Sequence, residues 1–420
     1  MSPASRADCE ALDAADALGR LRRQFRIPEG LIYLDGNSLG PVPESVSGAL
    51  AQAVERDWGR GLVRSWNNAD WIELPQRIGA AIARLIGAEA DEVIVADSTS
   101  VNLFKVLSAA LRMRPDRAVI LSEPGNFPTD LYIAQGLIEQ LGGRHTLRLV
   151  ERDALGQAIG PDVAAVMLTQ VDYRSGHRLD LEAISARARA AGAITIWDLA
   201  HSAGAFEVDL NAAGADFAVG CGYKYLNGGP GAPAFLFVAR RHQQAFTQPL
   251  SGWMGHARPF AFETGYQPAS GIGRYLCGTP PVLSMIALER GVDTVLAALG
   301  HGGMAALRAK SVALCELFIE QVERRCAAFG LTLASPRDAS SRGSQVSFAS
   351  ADGDSGYAII QALIARGVIG DFRAPDILRF GFAPLYVRHV DAWDAAEALA
   401  EIMRTEAWNR PEFLTRQAVT

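Results

Sequence analysis

One lysine stands in a segment of the sequence that is rich in glycine and tyrosine. Lys224 lies between Tyr223 and Tyr225, and glycines surround this triplet from residue 220 to residue 231. Lysines in loops are usually solvated, so the segment alone indicates little. Earlier in the chain, however, a carboxylate, Asp198, ends an apolar run. An amine and an acid placed in this way could carry out covalent and acid–base chemistry.

Two other positions carry polar or aromatic side chains directly after apolar runs. Thr99 and Ser100 follow the run at residues 92–96 and precede a helical pattern. Their hydroxyls could cap that helix, and the N-terminal end of a helix is also suited to a phosphate group. Phe127 follows the next run. Its ring could either pack under the following helix or stack on a flat ligand.

These features fit one cofactor better than they fit a metal. His201 follows Asp198 in an Asp-x-x-His pattern, but no third ligand stands at a suggestive spacing, so no metal is predicted. Pyridoxal 5′-phosphate needs a lysine for its aldehyde, a carboxylate for its ring nitrogen, a stacked ring, and N–H and O–H donors for its phosphate. The glycine-rich fingerprints of nucleotide-binding loops are absent from the sequence.

The composition excludes several other classes of protein. The chain has 420 residues, 49% of them hydrophobic, and 40 Lys and Arg against 46 Asp and Glu give a net charge of −6. The charges form no basic stripe for nucleic acid, and the apolar runs are far shorter than the roughly 18 residues of a membrane span. The first thirty residues are charged throughout, unlike a signal peptide. With five scattered cysteines, this predicts a soluble, cytoplasmic protein.

The order of the apolar runs predicts the scaffold that positions these residues. The runs are 92–96, 118–121, 146–150, 163–168, 193–197, 217–221 and 234–238. They alternate with amphipathic segments of helix length, which predicts α/β architecture with a mainly parallel seven-stranded sheet covered by helices. Ligands of such sheets bind beyond the carboxyl ends of the strands, where the candidate side chains fall.

The order of elements changes at both ends of the chain. Helices are predicted at 44–58, 71–86, 281–299, 304–329, 357–366 and 392–404, and further strands at 345–348, 368–369 and 377–382. We therefore predict an N-terminal arm that packs with the small domain (1–60), a large α/β domain (61–295) and a smaller C-terminal α+β domain (296–420).

Several segments together resemble the kynureninase family of fold-type I pyridoxal-phosphate enzymes, which are similar to aminotransferases of class V. The matching segments are YLDGNSLG (33–40), NFPTD (126–130), DLAHSAG (198–204), YKYLNGGPG (223–231) and RFGFAPLY (379–386). They run in order from near the N-terminus to the last domain, so the resemblance covers almost the whole chain. It implies hydrolysis of L-kynurenine, and with it 3-hydroxy-L-kynurenine, to anthranilate or 3-hydroxyanthranilate and L-alanine, in tryptophan catabolism and NAD biosynthesis.

The resemblance also implies roles for individual residues. Lys224 matches the Schiff-base lysine, and Tyr223 beside it is the candidate proton donor to the β-carbon. The residues matching the cofactor pocket are Thr99, Ser100, Phe127, Asp130, Thr169, Asp198, His201 and Tyr223. Arg379 matches the arginine that holds the substrate α-carboxylate, and Trp66 lies in a segment that lines the aryl side. The resemblance implies a homodimer in which Trp253 and Thr279 serve the neighbouring subunit's cofactor site.

Two alternatives remain open from the sequence. A cysteine desulfurase or an aminotransferase would share the fold, but a desulfurase needs a nucleophilic cysteine on a mobile loop and usually has histidine before its lysine. Here Tyr223 holds that place, and Cys315 and Cys326 lie in a helical pattern. A catalytically silent relative that serves as a binding scaffold is the second alternative, and it would lack the yellow colour of the lysine-bound cofactor.

Overall fold

The computed structural model describes residues 3–245, 248–351 and 353–416. The strands in these residues are β1 (Ile32–Tyr33), β2 (Val93–Val95), β3 (Val119–Ser122), β4 (Thr146–Leu149), β5 (Val163–Thr169), β6 (Ile194–Asp198), β7 (Phe217–Gly220), β8 (Phe235–Val238), β9 (Thr332–Leu333), β10 (Gln345–Ala349), β11 (Val368–Ile369), β12 (Asp371–Arg373) and β13 (Ile377–Gly381).

The α-helices of the same residues surround and connect these strands. They are α1 (Arg6–Ala15), α2 (Glu44–Gln52), α3 (Ser65–Asn68), α4 (Leu74–Ala83), α5 (Thr99–Met113), α6 (Pro128–Gln140), α7 (Leu155–Ala158), α8 (Leu181–Ala191), α9 (Val282–Leu296), α10 (Gly303–Cys326), α11 (Gly353–Ala365), α12 (His389–Thr405) and α13 (Pro411–Leu414). None of these helices is both long enough and apolar enough to cross a membrane.

The large sheet has the predicted mainly parallel, seven-stranded form. Its strand order is β2-β8-β7-β6-β5-β3-β4. Neighbours from β7 to β4 pair in parallel, whereas β8 runs antiparallel to β7 and to β2. The carboxyl ends of β2, β3, β5, β6 and β7 therefore lie along one edge of the sheet, which is where a ligand site is expected.

Both faces of this sheet are buried. Val93 and Val95 face one hydrophobic cluster, while Ile94 between them faces the other. Successive side chains of a strand point to opposite faces, so a strand covered on both sides needs an almost continuous apolar run. This is why short apolar runs in the sequence located six of the seven strands; the edge strand β4, which was also predicted, is partly exposed and its run contains Arg148.

The N-terminal segment and the C-terminal segment pack on each other. A four-stranded antiparallel sheet, β12-β13-β10-β9, forms the centre of the C-terminal part. Strand β1 pairs in parallel with β11 nearby. Helix α1 lies on α12, where Arg6 Nε contacts Asp394 Oδ1 at 2.8 Å and Asp13 Oδ1 contacts His389 Nδ1 at 2.8 Å.

Two predicted helices near the N-terminus differ from those observed. The pattern at 44–58 predicted one helix, but α2 ends at Gln52 and continues as a π-helical segment, Ala53–Gly61. A π-helix has more residues per turn than the 3.6 of an α-helix. Over so short a stretch, the spacing of hydrophobic residues does not distinguish the two kinds of helix. The helix predicted at 71–86 begins with a 3₁₀ turn, Trp71–Glu73, before α4.

Candidate active site

A cavity of about 220 Å³ opens at the carboxyl edge of the large sheet. Its walls come from the segments that follow β2, β3, β5, β6 and β7, and they include the predicted cofactor residues Thr99, Ser100, Phe127, Asp130, Thr169, Asp198, His201, Tyr223 and Lys224. The parallel strands thus bring together residues that are more than a hundred positions apart in sequence. These residues line one cavity, which is partly open to solvent at Phe127.

The lysine amine lies between a histidine and two aromatic rings. Lys224 Nζ is 3.0 Å from His201 Nε2. The same Nζ atom is 5.9 Å from the centre of the Phe127 ring and 5.8 Å from the centre of the Tyr223 ring, within the range of cation–π attraction. His201 therefore meets the lysine rather than forming half of a metal site with Asp198.

Asp198 is a buried carboxylate at the floor of the cavity. It is the last residue of β6 and only 4% exposed, and its Oδ1 accepts a hydrogen bond from Ala200 N at 2.8 Å. Burial raises the pKa of this carboxyl, although the charge of Lys224 opposes the effect. Among the described residues no basic side chain pairs with it. A ligand with a cationic N–H group would supply the missing partner.

The loop between β2 and α5 forms one end of the cavity. Ser98 caps α5, its side chain accepting a hydrogen bond from Val101 N at 3.3 Å, and Thr99 and Ser100 begin the helix. This places hydroxyl groups at the positive end of a fifteen-residue helix. The side-chain cap of α5 is therefore Ser98, and not Thr99 or Ser100.

An ion pair between a buried lysine and a solvent-accessible aspartate holds this loop in place. Lys105, which is fully buried on α5, forms an ion pair with Asp97 and donates to Tyr275 O at 2.7 Å. Asp97 has a positive φ of 48°, a conformation that non-glycine residues adopt only when neighbours enforce it. The ion pair explains how the chain turns here without a glycine.

The predicted stacking ring forms an aromatic corner. Phe127 lies 5.2 Å from Tyr173, ring centre to ring centre, and the two rings are nearly perpendicular at 86°. Tyr173 fixes the edge of the Phe127 ring while one face of that ring stays available to the cavity. Phe127 is 37% exposed, so a flat ligand would cover a ring that is otherwise open to solvent.

A second buried carboxyl lies near Asp198. Asp130 Oδ2 lies 3.3 Å from Thr169 Oγ1, whose single hydroxyl proton is shared with the closer Asn126 Oδ1. Burial, and then the charge of Asp198, raise the pKa of Asp130 well above its ordinary value. Two acidic side chains in one dry pocket favour a bound cation, because a positive group between them lowers the cost of ionising both.

Arg379 approaches the pocket from the small sheet but is turned toward a partner of its own. It pairs with Asp371, which is opposite to it in the β12–β13 ladder, through Nε at 2.8 Å and through Nη2. Nη1 donates to Tyr173 O and Nη2 to Ser38 Oγ, both at 2.7 Å. Four of the five N–H groups of a guanidinium are thereby used, and one on Nη1 remains for another acceptor.

Besides Arg379, three predicted site residues are not part of the cavity wall. Trp66 packs edge-on against Trp71, with ring centres 5.9 Å apart. Trp253 is 37% exposed and stacks edge-on with Phe260, and Thr279 is also exposed. Within this one chain, Trp66, Trp253 and Thr279 are therefore separate from the cluster around Lys224.

Sequence reasoning missed several residues that line or support the cavity. Ser98, Thr129, Tyr173 and Cys221 line it, and Gln345 contacts His201. Tyr173 lies in the loop shortly after β5, which ends at Thr169, so the strand-end rule could have found it. Gln345 gives no such signal, because it lies on a strand of the other sheet.

The pocket fits pyridoxal 5′-phosphate on observations made within the structure. A lysine amine, a buried carboxyl that lacks a basic partner, an open aromatic face and a hydroxyl-bearing helix start all face one cavity. The chain resembles solved enzymes in fold. It has a TM-score of 0.76 and 20% identity to a cysteine desulfurase from Thermococcus onnurineus, covering 92% of this chain and 98% of that one. The cystine C-S lyase C-DES, solved with a glycine linked to its pyridoxal-phosphate cofactor, has a TM-score of 0.75 at 18% identity, over 90% and 98% of the two chains.

Fold and pocket together define a fold-type I pyridoxal-phosphate enzyme. The kynureninase of Pseudomonas fluorescens is 53% identical to this chain, covering 99% of it and 100% of that protein, and the kynureninase of Burkholderia mallei is equally similar over the same extents. Residues 307–399 match the family model described as the kynureninase C-terminal domain. The chain belongs to the kynureninase family, which hydrolyses a carbon–carbon bond of kynurenine.

Proposed function

We propose that Lys224 and Tyr223 are the proton-transferring residues of kynurenine hydrolysis and that the cavity around Lys224 is the cofactor site. The observation that carries this proposal is the 3.0 Å contact of the Lys224 amine with His201 Nε2 inside a cavity whose floor is the buried Asp198 carboxyl. The other two lysines of the chain, Lys105 and Lys310, are buried in ion pairs. Lys224 is thus the lysine that a reactive aldehyde can reach.

The remaining pocket residues bind and orient. Bound pyridoxal 5′-phosphate supplies an aldehyde for the lysine and a protonated ring that accepts electrons from the bonds broken at the substrate. Asp198 and Asp130 would hold the positively charged ring nitrogen, Thr99 and Ser100 would donate to the phosphate, and Phe127 would cover one face of the ring. Thr169 fixes the orientation of Asp130.

Two residues move protons at defined substrate atoms. With its amine free, Lys224 would remove the Cα proton of the substrate. Water adds to the γ-carbonyl of the substrate, and cleavage of the Cβ–Cγ bond leaves a carbanion at Cβ that must be protonated. Burial raises the pKa of Tyr223, so its hydroxyl stays protonated at neutral pH and can donate that proton.

The substrate carboxylate and aryl ring are assigned to residues outside the cavity wall. Arg379 holds the α-carboxylate through its remaining N–H donor and by exchanging contacts with Asp371, a bidentate arrangement that suits arginine better than lysine. Trp66 lies toward the aryl side of the substrate. Both L-kynurenine and its 3-hydroxy form are accepted in this proposal.

The wider organisation of the protein is also part of the proposal. The chain divides into an arm (1–60), a large domain (61–295) and a small domain (296–420), and it acts in the cytoplasm as a homodimer. Exposure of Trp253 and Thr279, away from the cavity of their own chain, supports their placement in the site of the neighbouring subunit. The pairing of β1 with β11 supports the packing of the arm on the small domain.

A product assay tests the reaction. Purified protein with pyridoxal 5′-phosphate should convert L-kynurenine to equimolar anthranilate and L-alanine. Anthranilate is measured by its fluorescence, and alanine by amino-acid analysis. Steady-state kcat/KM for the 3-hydroxy substrate, measured in parallel, gives the preference between the two. The proposal would be contradicted if no anthranilate formed and the protein instead released sulfide from cysteine or transferred the amino group to a keto acid.

Mixed dimers test whether the sites are shared. If Trp253 serves the partner's site, a Lys224→Ala chain and a Trp253→Ala chain should be inactive or weak alone but regain activity when combined, since one site of each mixed dimer is intact. Co-expression with two different affinity tags isolates the mixed species, and statistical assembly sets the expected recovery. Mixed dimers without any recovery would indicate that Trp253 acts within its own chain.

A further inference from the structure

A glutamine from the small sheet reaches the wall of the cofactor pocket. Gln345 is the first residue of β10 and is completely buried. Its Oε1 lies 2.9 Å from His201 Nδ1, and its Nε2 lies 3.1 Å from Tyr173 O and 3.3 Å from Asp172 O. One side chain thus joins β10 to two separate segments of the large domain's pocket.

The surroundings of the Gln345 amide allow only one orientation. Backbone carbonyl oxygens accept hydrogen bonds and cannot donate them, so the NH₂ group must face Tyr173 O and Asp172 O. The amide oxygen therefore faces His201. An oxygen at this position forms a hydrogen bond only if Nδ1 of the imidazole carries a proton.

The other ring nitrogen of His201 then has a fixed character. A neutral imidazole with its proton on Nδ1 has a lone pair on Nε2, the atom that lies 3.0 Å from Lys224 Nζ. Burial lowers the pKa of His201 far below its usual value, and the charges of Lys224, Arg379 and Arg373 lower it further, while the bond to Gln345 raises it. The ring is therefore neutral at physiological pH.

We propose that Gln345 is a positioning residue for the hydrolysis reaction. Its amide oxygen fixes the Nδ1–H tautomer of His201, so that Nε2 is always a hydrogen-bond acceptor beside the lysine amine. This proposal rests on the assignment of Lys224 as the cofactor-binding lysine. Because Gln345 belongs to β10, the hydrogen-bonding character of the pocket then depends on the correct seating of the small sheet against the large domain.

Nitrogen-15 NMR of histidine-labelled protein tests the tautomer directly, both with cofactor bound and after its removal. The His201 signals are identified by their loss in His201→Asn. The expected result is a pyrrole-type Nδ1 and a pyridine-type Nε2. In Gln345→Met, which keeps the length of the side chain without its hydrogen bonds, the proton should move at least partly to Nε2. Cofactor affinity should fall roughly 10-fold or more, because buried donors and acceptors are left unpaired.

Gln345→Glu separates positioning from packing. A carboxylate still accepts from Nδ1–H but also stabilises the charged ring, so the pKa of His201 rises. As the pH falls, Nε2 is then protonated earlier, and the acid limb of kcat/KM should move to higher pH. A merely structural role for Gln345 would lower activity equally at all pH values.

Ser347→Ala is the matched control. Ser347 lies two residues further along β10 on the same face, and its Oγ donates to Arg174 O in the same wall segment. This change should leave the His201 tautomer and the cofactor affinity as in the unmodified protein. A pyridine-type Nδ1 in the unmodified protein, or an unchanged tautomer in Gln345→Met, would overturn the proposal. Since the spectra are recorded without substrate, they are independent of which substrate the enzyme hydrolyses.

Discussion

Lys224→Ala is expected to abolish turnover, lowering kcat at least roughly 10⁴-fold, while the fold stays intact. The loss is large because the same amine forms the covalent link and moves the Cα proton, and a single positioned acid–base group alone contributes about 10²–10⁴-fold. The Lys224 side chain lines the cavity and does not belong to the hydrophobic core, so its removal leaves no packing defect. Turnover is measured as kynurenine hydrolysis, the fold by circular dichroism, and the covalent link by the visible absorbance of added cofactor.

Lys224→Arg serves as the companion variant. Arginine keeps the positive charge beside His201 and Tyr223 but cannot form the covalent link, so it should be as inactive as the alanine variant. If either variant retained substantial hydrolysis, Lys224 would not be the cofactor-binding lysine.

Tyr223→Phe is expected to slow product formation by roughly 10²–10⁴-fold while cofactor binding is retained, because the ring stays and only the proton donor is lost. In ²H₂O, exchange of the substrate α-hydrogen should continue at close to the normal rate, since that step belongs to Lys224. Mass spectrometry of recovered kynurenine measures the exchange, and anthranilate fluorescence measures the cleavage. Loss of both in the same proportion would place Tyr223 in the first proton transfer instead.

Tyr225→Phe is the control within the same loop. Tyr225 is fully buried on the other side of the lysine, and its hydroxyl donates to Ser344 O at 3.2 Å. Removing this hydroxyl should cost about 1 kcal/mol of stability and leave kcat near normal. The contrast between two tyrosine-to-phenylalanine changes on either side of Lys224 isolates the chemical role of Tyr223.

The central sheet and the cofactor pocket could be predicted from the sequence for one physical reason. Strands buried on both faces are continuous apolar runs, and parallel strands bring their carboxyl ends to one edge. Asp198 at the end of β6 and Phe127 after β3 could therefore be assigned to one pocket from the sequence alone. The short strands β1, β9 and β12 have no counterpart among the predicted strands, although the equally short β11 does, because a pattern over two or three residues does not decide for or against a strand.

Contacts that depend on strand register or on the packing of one sheet against the other could not be predicted. The Arg379–Asp371 pair depends on the register of β12 against β13, and the contact of Gln345 with His201 depends on how β10 meets the large domain. A polar residue on a strand usually indicates a solvent-facing position, whereas Gln345 is buried. Such placements follow from the tertiary packing of separate elements rather than from local sequence.

The identity of the lysine that binds the cofactor can be measured directly because the chain has only three lysines, Lys105, Lys224 and Lys310. The protein is loaded with pyridoxal 5′-phosphate, treated with borohydride to make the lysine–cofactor bond permanent, digested and sequenced by mass spectrometry. The added mass is expected on Lys224 alone, at one cofactor per chain. Two results would contradict the assignment of this cavity as the active site. One is modification of Lys105 or Lys310 at that stoichiometry, and the other is an active preparation in which no lysine is modified.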